Sequence, residues 1–285
     1  MRPQKGAFFF MKILITGGSG FIGSHACTLF SKQGHEVFVL TRRNKHTLHS
    51  FPACKAVFDL NDALPEVDAV INLAGASIAA KYLNRRREDE LLKSRINIMD
   101  HLLKAYRGRA FPKIFIQASA SGIYPSGGTF DEDGETDGNF SELIQAVENA
   151  ALQRFSDISN LMLVRFGVVM GKDGGLMRIL SYLPSLYFFP DPQNFIPWLS
   201  IDDAAEILLF LCTHPLEGVV NAVSPQKLTL NKLLSYAKKP GIRLPLPYLL
   251  LKCLPDKRCE LLTVSHTILP AKLKSAGFCF KTFRK

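Results

Sequence analysis

KILITGGSGFIG, residues 12–23, combines a short apolar run with glycines at positions 17, 20 and 23. The residues that follow, Phe21 to Gln33, have the apolar spacing of a helix, which Gly34 ends. A glycine turn between a strand and a helix lets a pyrophosphate reach the backbone N–H groups at the helix N-terminus, where the helix dipole favours negative charge. An ordinary tight turn is the alternative interpretation, and the flanking elements favour the phosphate site. The residues predicted to bind the diphosphate are Gly17, Gly18, Ser19, Gly20, Phe21, Ile22 and Gly23.

Short apolar runs alternate with helical patterns through the first half of the chain, which is typical of successive β-α units. Further strands are predicted at Glu36–Leu40, Ala56–Phe58, Ala69–Leu73, Lys113–Gln117, Leu161–Phe166 and Gly218–Val223. Further helices are predicted at Asn84–Tyr106, Phe140–Phe155 and Ala204–Cys212. The pattern predicts an α/β protein with a Rossmann-type, doubly wound parallel sheet and a smaller C-terminal substrate lobe.

The composition changes after Gly167, where prolines and aromatic residues interrupt any regular element up to Trp198. A second region rich in prolines begins near Lys227. We therefore expect a cofactor-binding domain at residues 11–167, completed by about 199–224. Residues 168–198 and 225–285 are expected to form the smaller lobe.

Composition excludes several classes of protein. The 285 residues carry 35 Lys and Arg against 25 Asp and Glu, but these basic residues are scattered, so no nucleic-acid partner is expected. No apolar stretch approaches the ~18 residues of a membrane-spanning helix, so no membrane partner is expected. The six cysteines lie far apart, without the spacing of a metal site, and indicate reduced thiols in a cytoplasmic protein without a bound metal. A small-molecule substrate is expected, and assembly into a homodimer stays open.

The second predicted strand ends in Thr41-Arg42-Arg43. An NAD site commonly has an acidic residue here, which binds the ribose hydroxyls and would repel a 2′-phosphate. A guanidinium group instead binds a phosphate through a planar fork of N–H donors. The sequence therefore predicts that Thr41, Arg42 and Arg43 select NADP(H). The alternative is that these arginines only face solvent at the end of a strand.

These motifs together resemble the extended short-chain dehydrogenase/reductase superfamily. More narrowly, NLAGASI at residues 72–78, KSRI at 93–96, LVRFGVVMGKD at 163–173 and LPAKL at 269–273 resemble the atypical 39U group of the epimerase family, a NAD-dependent epimerase/dehydratase. The resemblance extends from about residue 11 to residue 280. It implies that Asp59 and Leu60 lie against the adenine. It also implies that Asn72, Leu73, Ala74 and Gly75 lie beside the nicotinamide-side ribose. The alternative interpretation is structural: Asp59 is an acidic residue in a turn, and residues 72–75 are a strand end that needs glycine.

The catalytic residues of that superfamily are absent from their usual places. A Tyr there transfers the proton, a Lys four residues later lowers its pKa, and a Ser or Thr binds the substrate oxygen. This chain has Phe140 and Ile144 at the Tyr and Lys positions. Ala120 stands at the Ser or Thr position, although a one-residue change of register would put Ser119 or Ser121 there. The catalytic candidates that remain are Tyr124, Ser119 and Ser121, each with packing or capping as the alternative role.

Two functions are therefore compatible with the sequence. The first is an NADP-binding oxidoreductase or epimerase-like enzyme of unknown substrate. The second is a non-catalytic, NADP-responsive regulatory or interaction protein, because a binding fold can persist without its chemistry.

Overall fold

The computed structural model describes residues 10–42, 54–76, 83–138, 140–171, 174, 186–189, 195–229, 232, 244–247 and 265–281. Its main strands are β1 (Lys12–Thr16), β2 (Glu36–Leu40), β3 (Ala56–Phe58), β4 (Ala69–Asn72), β5 (Ile114–Ala120), β7 (Asn160–Phe166) and β12 (Gly218–Ala222). Its helices are α1 (Phe21–Lys32), α2 (Arg85–Ala105), α3 (Ser141–Phe155), α4 (Ile201–Thr213) and the short α5 (Ala271–Ser275). A 3-10 turn, Ser121–Ile123, follows β5.

The central sheet has seven strands in the order β12-β7-β5-β4-β1-β2-β3. All of its pairings are parallel, with Ile15 opposite Val39 on one side and opposite Ile71 on the other. The order reverses at β1, since the chain moves outward through β2 and β3 and then returns to add β4 on the other side. Such a reversal opens a crevice at the carboxyl ends of the strands. The predicted α/β, Rossmann-type fold is confirmed.

Helices cover both faces of this sheet. Successive strand residues point to opposite sides, so each strand contributes side chains to both cores. Ile13 and Ile15 of β1 pack in one core with residues of α1 and α4, whereas Leu14 packs in the other core with residues of α2 and α3. Burial on both faces explains why these strands are nearly all apolar.

Among the residues that the structure describes, eight short strands form four two-stranded sheets in addition to the main one. They are β6 (Thr129–Phe130), β8 (Val168–Gly171), β9 (Leu186–Phe189), β10 (Phe195–Ile196), β11 (Trp198–Ser200), β13 (Leu228–Thr229), β14 (Leu244–Pro247) and β15 (Thr267–Ile268). The pairs are β10 with β13, β11 with β8, β14 with β9 and β15 with β6. The division into a cofactor domain and a smaller lobe stays a prediction.

Two elements differ from the predicted boundaries by more than one residue. Strand β5 continues to Ala120 because Ser119 and Ala120 pair with Arg165 and Phe166 of β7. Helix α4 begins three residues early, and its cap is the Ser200 hydroxyl, which accepts the Asp203 N–H at 3.0 Å. Within the described ranges, no helix is long and apolar enough to cross a membrane.

Candidate functional site

The glycine-rich turn after β1 depends on close backbone approach. Gly17 has a φ of +71°, and a Cβ there would lie 2.9 Å from the backbone of Leu73 and Ala74. A Cβ on Gly23 would collide with the carbonyl oxygen of Gly17 and lie 2.8 Å from the Cα of Gly18. The Gly20 N–H donates to that same Gly17 carbonyl at 2.8 Å. Glycine at 17 and 23 is therefore what allows α1 to start directly against the turn and against the end of β4.

The N-terminus of α1 is open to a ligand. Gly20 is its N-cap and supplies no side-chain cap, and the first turn contains no acidic residue. Ser19 and Gly20 are exposed. The first N–H groups of a helix carry partial positive charge, so this end of α1 suits a phosphate. The ring of Phe21 fills the space where Gly171 and Gly174 lack a side chain, which brings the end of β8 to the same place.

A buried polar chain connects the carboxyl ends of β1 and β4 with the middle of β5. The Thr16 hydroxyl donates to Asn72 Oδ1 at 2.5 Å, and Asn72 Nδ2 donates to Gln117 Oε1 at 2.7 Å. Thr16 Oγ1 also accepts the N–H of Ala74 at 3.1 Å. Thr16 and Asn72 have no exposed surface, so these bonds run inside the protein. They fix the edge of the sheet on which the crevice opens.

The segment after β4 lies beside the glycine turn. Leu73, Ala74 and Gly75 are half-buried there, and the N–H of Leu73 donates to Thr16 at 3.2 Å. A Cβ on Gly75 would lie 2.9 Å from Cζ of Arg95, so the Arg95 guanidinium fills that space. Asn72 itself is buried within the polar chain. Placement beside the nicotinamide-side ribose stays a prediction for all four residues.

The predicted adenosine side is formed by the ends of β2 and β3. The N–H of Thr41, which is buried, donates to the Phe58 carbonyl at 2.9 Å, and Arg42 beside it is exposed. Arg43 lies outside the described residues. In the turn after β3, Asp59 Oδ1 accepts the N–H of Asn61 at 2.8 Å, while Leu60 is 39% exposed.

The catalytic candidates have different surroundings. The Ser119 hydroxyl donates to Glu148 Oε1 at 2.5 Å. The Tyr124 hydroxyl accepts from Arg165 Nη1 at 2.9 Å and donates to Asn221 Oδ1 at 2.8 Å. Burial raises the pKa of Tyr124 above its ordinary value, while the charge of Arg165 opposes the rise. Ser121 is buried in the 3-10 turn, and its hydroxyl has no hydrogen bond to any described residue.

Phe140 and Ile144 form an apolar patch against this turn. Both are less than 10% exposed and pack in one cluster with Ile123 and Tyr124. A Cβ on Gly122 would lie 3.5 Å from the Phe140 ring and 3.7 Å from Ile144. The helix face that would carry a Tyr and a Lys therefore carries hydrocarbon.

Sequence reasoning missed a buried ionic network. Arg165 of β7 and Glu148 of α3 form an ion pair at 2.8 Å, with their side chains 5% and 7% exposed. Asn221 of β12 accepts from Tyr124 and donates to the Leu269 carbonyl at 3.1 Å. One signal in the sequence could have indicated it: Arg165 is a single charged residue within the otherwise apolar run LMLVRF. A charge buried in a strand needs a partner of opposite charge.

No group of three or more His, Cys, Asp or Glu side chains in the described ranges could hold a metal ion. The described cysteines Cys27, Cys54, Cys212 and Cys279 are free thiols.

Known proteins resemble this chain over most of its length. The profile of the NAD dependent epimerase/dehydratase family matches residues 13–143. The epimerase family protein ML0860 of Mycobacterium leprae is 31% identical over 288 residues, which cover 94% of this chain and 91% of that protein. The epimerase family protein YfhF of Bacillus subtilis is 28% identical, with 95% and 94% covered.

A solved structure of the human epimerase family protein SDR39U1 (isoform2) with NADPH has a TM-score of 0.81 to this chain. The two are 26% identical, and 95% of each chain is covered. A Thermus thermophilus UDP-glucose 4-epimerase complex with NAD, 21% identical, has a TM-score of 0.72 and shares the fold. The resemblance read from the motifs is confirmed: the chain belongs to the epimerase family, a branch of the NAD dependent epimerase/dehydratase proteins, and is related to SDR39U1.

Proposed function

We propose that this chain binds NADP(H) across the carboxyl edge of its sheet and acts as an oxidoreductase or epimerase-like enzyme on a small molecule. The observation that carries the proposal is the glycine turn, in which Gly17 and Gly23 bring the uncapped start of α1 against the end of β4. This cradle fits a diphosphate, because any side chain there would fill it. The human relative solved with NADPH supports the same cofactor.

In this proposal the Gly17–Gly23 turn binds the diphosphate and the ends of β2 and β3 bind the adenosine half. Arg42 is exposed at the end of β2 and suits the 2′-phosphate. Arg43, next in the chain, is proposed to assist it. Asp59 and Leu60 flank the adenine, and the segment 73–75 approaches the nicotinamide-side ribose.

Bound NADP(H) supplies or accepts a hydride. We assign Ser121 to the substrate oxygen, since its hydroxyl is uncommitted at the carboxyl end of β5. Tyr124 and Ser119 instead hold Arg165 and Glu148 in place through their hydroxyls. The predicted small lobe, residues 168–198 and 225–285, supplies the remaining substrate contacts. A cytoplasmic location remains our expectation.

Titration with NADPH and NADH tests the cofactor assignment. We expect NADPH to bind more tightly, and Arg42→Gln to remove most of the preference. Arg107→Gln is the matched control, because Arg107 is an exposed arginine just past α2, at the amino edge of the sheet. Equal binding of the two cofactors by the wild type, or no binding of either, would overturn the proposal.

A non-catalytic, NADP-responsive regulatory protein is the second candidate. It is favoured by the hydrocarbon of Phe140 and Ile144 where a proton-transfer pair would stand. Stopped-flow oxidation of bound NADPH across aldehydes, quinones and nucleotide sugars separates the two functions. Reproducible turnover that Gly20→Asp abolishes would reject the non-catalytic candidate, and no turnover with intact NADPH binding would favour it.

A further inference from the structure

Arg95 of α2 is placed at the mouth of the crevice. Its guanidinium packs on Gly75, with Cζ 2.9 Å and both Nη atoms 3.1 Å from the position of a Cβ there. Gly75 is two residues from Leu73, whose backbone abuts the Gly17 turn. The charge therefore lies next to the β1–β4 junction, where the strand order reverses and a ligand binds in this class of sheet.

This guanidinium has few partners of its own. Nη1 donates to the Leu91 carbonyl at 3.0 Å, a neutral group one helical turn away. No carboxylate in the described part of the chain pairs with Arg95, although its side chain is half-buried. A partly buried cation without a counter-ion is unfavourable, so an anion that pairs with Arg95 would stabilise it.

A second arginine adds positive charge on the same helix face. Arg87 precedes Arg95 by eight residues, is 9% exposed, and pairs with Glu90 at 2.8 Å. Burial and the charge of Arg87 lower the pKa of Arg95 below its ordinary value. The negative charge of an oxyanion bound to Arg95 would raise this pKa again and so offset both effects.

The loop that Arg95 supports is held in place independently. The Ala76 N–H donates to the Ser94 hydroxyl at 3.1 Å, and that hydroxyl donates to the Leu91 carbonyl at 2.8 Å. Helix α2 thus positions both the segment after β4 and the guanidinium beside it. The fork of N–H donors is preorganised, which favours binding of a carboxylate or phosphate through two hydrogen bonds.

We infer that Arg95 is an anion-binding residue for the substrate and that the substrate carries a carboxylate or phosphate group. The inference rests on the proposed function, in which the diphosphate and adenosine lie at α1, β2 and β3. Arg95 lies on the β4 side of the turn, across β1 from the strands β2 and β3 that are proposed to bind the adenosine. Its anion therefore belongs to the second ligand rather than to the adenosine half of the cofactor.

The test uses the full-length protein saturated with NADPH. Malonate and inorganic phosphate are titrated separately at constant ionic strength, and the Arg95 Nε–H signal is followed by ¹⁵N NMR. This signal is assigned by its loss in Arg95→Met, and we expect it to shift saturably with at least one anion. A saturable shift with malonate alone would identify the substrate group as a carboxylate. A saturable shift with phosphate alone would identify it as a phosphate. Arg95→Lys keeps the charge but loses the fork, and is expected to weaken anion binding about tenfold or more.

Arg86→Met is the matched control, since Arg86 is on the same helix with its side chain 91% exposed, and we expect it to leave anion binding unchanged. No saturable shift of the Arg95 signal with either anion would overturn the inference; if Arg95→Met fails to fold, the loss of the signal in Arg95→Lys assigns it. A tenfold loss of NADPH affinity in Arg95→Lys without an anion effect would also overturn it, since Arg95 would then bind the cofactor. Failure of the wild type to bind NADPH would instead reject the proposed function, and the anion titrations without NADPH would still decide the role of Arg95.

Discussion

Arg165 binds both carboxylate oxygens of Glu148 in the protein interior, through Nε to Oε1 at 2.9 Å and Nη2 to Oε2 at 2.8 Å. The pair joins β7 to α3. Ser119 donates to the same carboxylate, and Tyr124 accepts from the same guanidinium. Two of the three catalytic candidates are thus bound to one ion pair, which gives their hydroxyl groups a structural role.

Removing one charge of this pair should be far more damaging than removing both. Glu148→Ala leaves the Arg165 guanidinium buried without a counter-ion, and we expect the free energy of unfolding to fall by about 3–5 kcal/mol. Glu148→Leu combined with Arg165→Met removes both charges, and should recover most of that loss. Urea denaturation measures both changes. Equal destabilisation by the single and double variants would show that the pair does not act as a buried ion pair.

Tyr124→Phe should reduce stability while leaving the cofactor site intact. The ring remains, stacked on Phe130 with centroids 5.8 Å apart and lying under the Arg165 guanidinium. The hydroxyl is lost, so Arg165 Nη1 and Asn221 Oδ1 each lose a buried partner, at a cost of about 1–3 kcal/mol.

Urea denaturation and NADPH titration check this prediction, with Ser121→Ala as the comparison. Ser121→Ala should preserve stability and NADPH affinity but lower the turnover of any substrate found by NADPH oxidation. If Tyr124→Phe instead abolishes turnover at unchanged stability, Tyr124 is the proton donor and our structural assignment is wrong.

The fold was predictable because its signals are local. The apolar run of β1, the glycine turn and the helical spacing after it are adjacent in sequence, and β2 and β3 have the predicted bounds. The end of β5 could not be predicted from local signals. Ser119 belongs to the strand because it pairs with Arg165, which lies 46 residues further along the chain.

For the candidate site, too, the local features could be predicted from the sequence and the non-local contacts could not. Glycines report a backbone requirement that any sequence with this turn shares, so the turn after β1 could be predicted. The partners of Tyr124 could not, because Arg165 and Asn221 come from strands β7 and β12, and their contact depends on the three-dimensional packing. The Arg95 guanidinium on Gly75 is equally non-local, since a turn glycine and a helix arginine suggest no contact in the sequence.

Alkaline pH should reveal the buried phenol of Tyr106, which donates to the Pro65 carbonyl at 2.9 Å. Burial raises the pKa of Tyr106 to about 12, from 10.0, against the opposing charge of Arg109. The stabilisation by the protonated phenol is thus complete below pH 10 and is lost as the pH rises toward 12.

Tyr106→Phe lacks this titration and also lacks the hydrogen bond. We expect it to be about 1 kcal/mol less stable than the wild type near neutral pH. The difference should narrow between pH 10 and pH 12 as the wild type loses its phenol proton. Urea denaturation across this range measures the gap. A gap that stays constant would mean that the phenol titrates alike in the folded and unfolded chains.

Gly23→Ala should weaken cofactor binding by displacing α1. The new methyl group would collide with the Gly17 carbonyl oxygen, so the helix must move away from the turn that is proposed to bind the diphosphate. We expect NADPH affinity to fall about tenfold or more, because the charge-assisted hydrogen bonds to the diphosphate lose their geometry.

Gly34→Ala is the control: Gly34 has a φ of +84° with nothing within 4 Å of its Cβ position, so alanine there costs about 1–2 kcal/mol of stability without touching the turn. NADPH titration alongside urea denaturation separates the effects, since a variant that only destabilises the fold would behave like Gly34→Ala. If Gly23→Ala keeps full NADPH affinity, the cofactor does not bind at this turn.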